Sequence, residues 1–293
     1  MRLAKWQGLG NDYLVMEEAD LPRELTAGDV RLLCDRHLGV GSDGILLRCR
    51  PGGTVKDAVA RMRIFNPDGS ESEMCGNGMR IFALYLASLG VVGDQEFTVE
   101  TLAGPIRPRL VGDGLVRVDM GLARFRTANV SPASGQDEVV DALLEAGGRQ
   151  YRFTFVDVGN PHCVIVVDDP ATFDVQRVGS LIEVHPFFPN KVNVEFIAVQ
   201  GDGSVRMRVW ERGVGETQAC GTGATAVGAA CVRLGIAKSP VVVRLEGGDL
   251  TIEVQAEHGE TGTGPLRVHM TGPAEEVFTA ELGTELVARL GWR

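Results

Sequence analysis

MRIFNPDGSESEMCGNGMRIFALYLASLG, residues Met62 to Gly90, lies without a gap on MRVWERGVGETQACGTGATAVGAACVRLG, residues Met207 to Gly235. The offset is constant, 207 − 62 = 145, and the identical pairs include Met62/Met207, Arg63/Arg208, Glu71/Glu216, Cys75/Cys220, Gly76/Gly221, Gly78/Gly223, Leu89/Leu234 and Gly90/Gly235. Self-similarity of this kind is the mark of a duplicated structural unit. Each copy reads as a β-rich run (Ala60 to Phe65; Ser204 to Trp210), a glycine-containing loop, and a helix that begins near Cys-Gly-x-Gly and stops at Leu-Gly. Strand candidates follow each helix, Glu96-Phe97-Thr98-Val99 and Val241-Val242-Val243-Arg244. A second echo precedes each copy, Gly10-Asn11-Asp12-Tyr13-Leu14-Val15 against Gly159-Asn160-Pro161-His162-Cys163-Val164, at the offset 160 − 11 = 149.

Two halves of one ancestral unit are therefore expected. Short, glycine-punctuated strand candidates greatly outnumber helices, which argues against a doubly wound parallel sheet. The expected class is α+β, with two pseudo-symmetric α/β domains, each a mixed or antiparallel sheet around a central helix, and the active site in the cleft between them. The N-terminal half spans 1–118 and carries Cys75; the C-terminal half spans 119–272 and carries Cys220. The tail 273–293 has no counterpart at the end of the first half and is expected to return to the first domain.

The 293 residues are 44% hydrophobic and 23% charged, a soluble composition that excludes collagen, coiled coil and disorder. No apolar run has the length of a membrane span, and the stretch from Cys220 to Leu234 is built of Ala, Gly, Thr and Val, which suits tight packing within protein. The first residues lack the pattern of a secretory signal, so a cytoplasmic address is expected. Lys+Arg 29 against Asp+Glu 39 gives a net charge of -10 without a basic, aromatic-interleaved patch, so nucleic acid is not an expected partner. Only Lys5, Lys56, Lys191 and Lys238 could form a Schiff base, and none adjoins a glycine-rich phosphate cradle. The six cysteines form no Cys-x-x-Cys pair and the histidines (37, 162, 185, 258, 269) no His-x-x-x-His, so neither metal nor organic cofactor is expected. In a long cytosolic chain the thiols are expected to be free.

Cys75 and Cys220 stand apart, because both recur in register at a polar, glycine-rich helix start. Such a terminus presents unpaired N–H groups and a partial positive charge, able to hold a carboxylate and lower the pKa of a thiol. Gly76 and Gly221 permit close approach of a ligand, and Asn77 and Thr222 can cap the helix or donate hydrogen bonds. About a pseudo-twofold axis the two thiols would face each other across one cleft. Two acid/base groups on opposite faces of one carbon suit racemisation or epimerisation, with the developing charge met by the two helix termini. Taken singly, Asn11 and Asn160 read as turn residues, His162 as a satisfied histidine and Glu211-Arg212 as a solvated ion pair, while Cys34, Cys49, Cys163 and Cys231 read as small buried hydrophobes.

Phe65-Asn66-x-Asp68-Gly69-Ser70-Glu71-x-x-x-Cys75-Gly76-Asn77-Gly78, Gly159-Asn160-Pro161-His162 and Trp210-Glu211-Arg212-Gly213-x-Gly215-Glu216-Thr217-x-x-Cys220-Gly221-Thr222-Gly223 resemble the signatures of the diaminopimelate epimerase family. The resemblance runs from Gly8-x-Gly10-Asn11-Asp12 to Met270-Thr271-Gly272-Pro273-Ala274-Glu275. It implies a homodimeric, cofactor-independent isomerase that converts LL-2,6-diaminopimelate to the meso form in lysine and peptidoglycan precursor synthesis. By the same resemblance Cys75 and Cys220 are the acid/base thiols, and Gly76, Asn77, Gly221 and Thr222 hold the reacting carboxylate. Asn11, Asn66, Asn160, Asn193 and Arg212 bind substrate, largely its distal centre; His162 and Glu211 tune the site and meet the amino group. Many members carry Gln where this chain has Gly44. Another cofactor-independent racemase of the same fold would keep both thiols, a phenazine-pathway isomerase of the fold would lack them, and a binding module would not exchange a substrate α-proton.

Overall fold

The computed structural model describes residues 1–126, 138–257 and 264–292; His258 and Arg293 lie outside them. The chain divides into two compact units, Met1–Val118 with Gly272–Arg293, and Asp119–Thr271.

In the first unit the strands are β1 (Arg2–Gly8), β2 (Asn11–Glu17), β3 (Ile45–Cys49), β4 (Ala58–Phe65), β5 (Glu71–Ser72), β6 (Thr98–Thr101), β7 (Gly104–Ile106) and β8 (Pro108–Leu110). Strand β9 (Leu115–Ala123) begins here and runs on into the second unit; the helices are α1 (Ala27–Cys34) and α2 (Gly76–Ser88). The second unit holds β10 (Ala142–Ala146), β11 (Arg149–Asp157), β12 (Pro161–Val166), β13 (Asn193–Val199), β14 (Val205–Glu211), β15 (Gly215–Thr217), β16 (Val241–Leu245), β17 (Gly248–Ala256) and β18 (Leu266–Pro273), with helices α3 (Val175–Glu183) and α4 (Gly221–Arg233). The returning tail adds β19 (Glu275–Glu281) and α5 (Thr284–Arg289) to the first unit.

Both sheets are mixed. In the first unit the order is β19-β1-β2-β3-β4-β6-β7, and in the second β10-β11-β12-β13-β14-β16-β17-β18. The duplication is visible in the register: β2 pairs β3 in parallel with Val15 opposite Leu46, and β12 pairs β13 in parallel with Val164 opposite Glu195. The offset of 149 that aligns Asn11 with Asn160 thus also aligns Leu46 with Glu195.

Helices α2 and α4 are the buried ones, and their composition explains how closely they pack. A Cβ on Gly228 of α4 would stand 2.4 Å from Ile252 Cγ2 on β17, so only glycine lets helix and sheet approach to this distance. The larger face of α2, with Met79, Ile81, Phe82 and Leu86 buried, fills the corresponding space in the first unit. Leu290 and Trp292 of the tail pack into a core with Leu3, Leu14, Leu33 and Leu47, and Leu282 N donates to Met1 O. The second unit's core is aromatic, with Phe153, Phe155, Phe188 and Phe196 all buried.

Two sequence expectations shift. Glu96 and Phe97 precede rather than open β6, because Phe97 N pairs with Pro108 O outside the ladder. The expected single helix per half is joined by α1 and α5 in the first unit and by α3 in the second, all short elements. Thr26 and Asp29 form a capping box that starts α1, and Asp174 caps α3.

Candidate active site

Strands β4 and β14 each deliver the chain, through a turn and a short return strand, to a helix whose N-cap residue is a cysteine. Cys75 caps α2 and Cys220 caps α4. Each thiol sulfur accepts from the amide of the third residue of its helix, Gly78 N to Cys75 Sγ and Gly223 N to Cys220 Sγ, both at 3.3 Å. The capping atom is therefore the cysteine sulfur, and Asn77 and Thr222 occupy the second helical position instead of capping. Helix geometry leaves the first N–H groups, those of Gly76, Asn77, Gly221 and Thr222, without intrahelical partners, so two twin cradles for an anion flank the two thiols. Glycine at the third helical position leaves room for its neighbours: a Cβ on Gly223 would stand 2.9 Å from Met207 Cε, 3.0 Å from Glu195 Oε1 and 3.2 Å from Cys220 Sγ.

The surroundings of the two thiols differ. In the first unit Tyr13 Oη donates to Cys75 Sγ at 3.4 Å, and Asn77 Nδ2 donates to Asn11 Oδ1 at 3.3 Å. Asn11 is fixed in turn by Asp43, whose Oδ2 accepts from Asn11 Nδ2 and from Asp12 N, both at 3.1 Å. Lys5 and Arg36 close on Asp12; burial alone would push its carboxyl up, but these two cations hold it below the usual range. In the second unit Thr222 Oγ1 lies 3.5 Å from Cys220 Sγ and accepts from Asn160 Nδ2 at 3.3 Å. His162 is fully buried between Asn160 Oδ1, 2.9 Å from Nε2, and Glu195 Oε1, 2.6 Å from Nδ1.

Burial pushes the Cys220 thiol well above its usual range, reinforced by the carboxylates of Glu211 and Glu195, which outweigh the Thr222 hydroxyl and the Gly223 amide. The lowered pKa expected from the helix terminus alone is thus reversed, because desolvation acts on the charged form of the thiol. Burial also raises Glu211, against hydrogen bonds from Thr217 and Cys220 and the nearby His162.

The other candidate residues divide between the two units. Asn193 is buried with both ends of its amide engaged, Nδ2 donating to Pro161 O and Oδ1 accepting from Arg212 N, so it fastens the Arg212 loop to β12. Arg212 is exposed, with Nη1 donating to Asn190 O. With Asn160, Phe155 and Lys191 it lines a pocket of about 200 Å3. Asn66 is not drawn to the Asn11–Asn77 pair; its Nδ2 donates to Ser70 Oγ within its own turn. Gly44 is filled from outside, since a Cβ there would stand 2.6 Å from Phe65 O and 2.7 Å from Tyr13 Cε1. The Tyr13 ring, whose hydroxyl reaches Cys75, therefore occupies the volume that a side chain at 44 would need. Tyr13 and Glu195 were missed by motif reading. The signal for Glu195 was a carboxylate between Val194 and the apolar run Phe196-Ile197-Ala198, and for Tyr13 its match to His162 at the 149 offset.

The family described as Diaminopimelate epimerase matches residues 3–126 and 154–277. A diaminopimelate epimerase of Desulforudis audaxviator is 46% identical over 283 residues, covering 95% of this chain and 98% of that one. One of Moorella thermoacetica is 44% identical over 287 residues, covering 96% and 99%. Among solved structures, a probable proline racemase from Agrobacterium radiobacter superposes with a TM-score of 0.70 at 18% identity, covering 97% of this chain and 93% of that chain. A Bacillus anthracis phenazine biosynthesis protein of the PhzF family gives 0.69 at 19%, covering 97% and 99%, and these two likenesses speak for the fold alone. From the matched residues and the near full-length identity, the chain belongs to the diaminopimelate epimerase family.

Proposed function

We propose that the protein epimerises LL-2,6-diaminopimelate to meso-diaminopimelate in lysine and peptidoglycan precursor synthesis, with Cys75 and Cys220 as the two acid/base groups. The observation that carries this reading is the pair of cysteine N-caps, each with its sulfur against a glycine amide and two unpaired helix N–H groups beside it. One thiolate takes the α-proton and the opposite thiol returns a proton to the other face, so no bound cofactor enters the step. The substrate carboxylate conjugated to the reacting carbon takes up negative charge, and the N–H groups of Gly76, Asn77, Gly221 and Thr222 meet that charge. Burial raises the Cys220 thiol, which favours its protonated form in the resting protein. Asn11, Asn66, Asn160, Asn193 and Arg212 are assigned to substrate, and His162 and Glu211 to tuning and to the amino group. Family resemblance supports the further reading of a cytoplasmic homodimer; no helix among the described residues is long and apolar enough to cross a membrane.

The test is turnover of each isomer in deuterium oxide. Early product should carry solvent label at the inverted carbon while recovered substrate stays nearly unlabelled. Cys75→Ala and Cys220→Ala should each lower kcat by about 10²- to 10⁴-fold or more. Product that retains substrate hydrogen, or a single-alanine variant at the parent rate, would reject the two-thiol mechanism.

A further inference from the structure

The carboxylate of Glu195 is wholly buried, and its Oε2 has no hydrogen-bond partner among the described residues. Leaving a buried carboxylate oxygen unpaired is costly, and the fold does not require a carboxylate at this position. Leu46, the register equivalent in the first unit, is equally buried, and its Cδ2 lies 3.1 Å from a Cβ built on Gly78 just as Glu195 Oε1 lies 3.0 Å from one on Gly223. One unit of the duplicated fold thus packs this place with leucine, so Glu195 answers to something other than packing.

The hydrogen bonds say what. Asn160 Oδ1 can only accept, so the proton in its 2.9 Å contact belongs to His162 Nε2. The 2.6 Å contact between Nδ1 and Glu195 then holds one further proton, as imidazolium with carboxylate or as imidazole with carboxylic acid; both forms contain the same number of protons. With its oxygen turned to His162, Asn160 gives Nδ2 to Thr222 Oγ1, and the Thr222 hydroxyl hydrogen is left for the Cys220 sulfur. Without the proton on Nε2, Asn160 would turn its amide to donate to the imidazole. Its oxygen would then draw the Thr222 hydroxyl away from the thiolate.

We infer that Glu195 is a positioning residue of the reaction: it keeps His162 Nε2 protonated, and through Asn160 it aims the Thr222 hydroxyl at Cys220. The inference rests on the epimerase reading above, but part of its test does not depend on turnover. In histidine-¹⁵N-labelled parent protein the His162 resonances, assigned by their loss in His162→Asn, should show a proton on Nε2; a spectrum with a proton on Nδ1 alone overturns the inference. Glu195→Gln, whose amide can donate to Nδ1, should keep that tautomer and a kcat within about threefold of the parent. Glu195→Leu, the residue used by the first unit, should fold, lose the Nε2 proton preference and lower kcat by about 10- to 100-fold, the value of a hydrogen bond to a charged group, with KM little changed. Adding Thr222→Val to Glu195→Leu should cost little more, because the hydroxyl is already misdirected. A parent-like kcat in Glu195→Leu, a fall in Glu195→Gln as deep as in Glu195→Leu, or full additivity with Thr222→Val would each overturn it. Should the parent protein not epimerise diaminopimelate, the epimerase reading fails while the His162 spectrum still decides the Glu195 arrangement.

Discussion

Gly44 shows how one missing side chain arranges the surroundings of a thiol. Its absent Cβ leaves space for the Tyr13 ring, and the ring carries its hydroxyl to 3.4 Å from Cys75. An alanine at 44 would meet the Phe65 carbonyl, which is backbone and cannot swing aside, as well as the ring. Gly44→Ala should therefore destabilise the protein by roughly 1–3 kcal/mol, the usual range for overpacking, and lower turnover as Tyr13 is displaced. Tyr13→Phe keeps the ring in place, so it should retain the parent's stability and lose only the hydroxyl's contribution to turnover. Urea denaturation and kinetics in both directions separate the two; a Gly44→Ala protein as stable as the parent contradicts the steric account.

At the scale of the element, α4 illustrates two opposed effects at Gly228. Alanine there would gain about 1 kcal/mol of helix propensity over glycine. It would also place a methyl 2.4 to 2.7 Å from the branched Cγ2 and Cβ of Ile252, atoms close to the β17 backbone. Overpacking of about 1–3 kcal/mol exceeds the propensity gain, so Gly228→Ala should be net destabilising. The same change in an Ile252→Ala background should be neutral or stabilising. Chemical denaturation of the four proteins gives the coupling directly; additive effects would show that helix and strand do not meet at this point.

Across the molecule, the last residues are held to the first unit by a charged group as well as by Leu290 and Trp292. Arg23 spans the Asp29 carboxylate and the Leu290 carbonyl, and Asp29 also caps α1 with Thr26. Burial tends to raise the Asp29 carboxyl, but Arg23 and the Thr26 amide and hydroxyl hold it below its ordinary value. A carboxylate depressed in the folded state adds stability that is complete above its unfolded pKa of about 3.9 and is lost as pH falls through the lower folded value. Melting between pH 7 and pH 3 should accordingly show an acid loss that is smaller in Asp29→Asn. At pH 7 that variant should be less stable by about 1–3 kcal/mol. Parallel pH profiles for the two proteins would remove Asp29 from the account.

Repetition, being a one-dimensional property, was open to sequence reading. The 145 offset located both cysteine N-caps and both buried helices, because cap chemistry and the Cys-Gly-x-Gly spacing act within one turn of chain. The mixed sheets and few helices followed from strand spacing, while α1 and α3 escaped because their signals are short. The relations that cross strands were not legible. Glu195 reaches His162 only because β12 and β13 pair in parallel, and Tyr13 reaches Cys75 only because Gly44 leaves room beside β2. Motif reading also gave Cys220 a favourable helix terminus but could not supply the burial that reverses its effect. Sequence determined which groups stand at the helix starts, since those depend on neighbours along the chain. Tertiary structure decided their burial, the upward shift of the Cys220 thiol and their contacts, since desolvation and hydrogen bonding depend on neighbours in space.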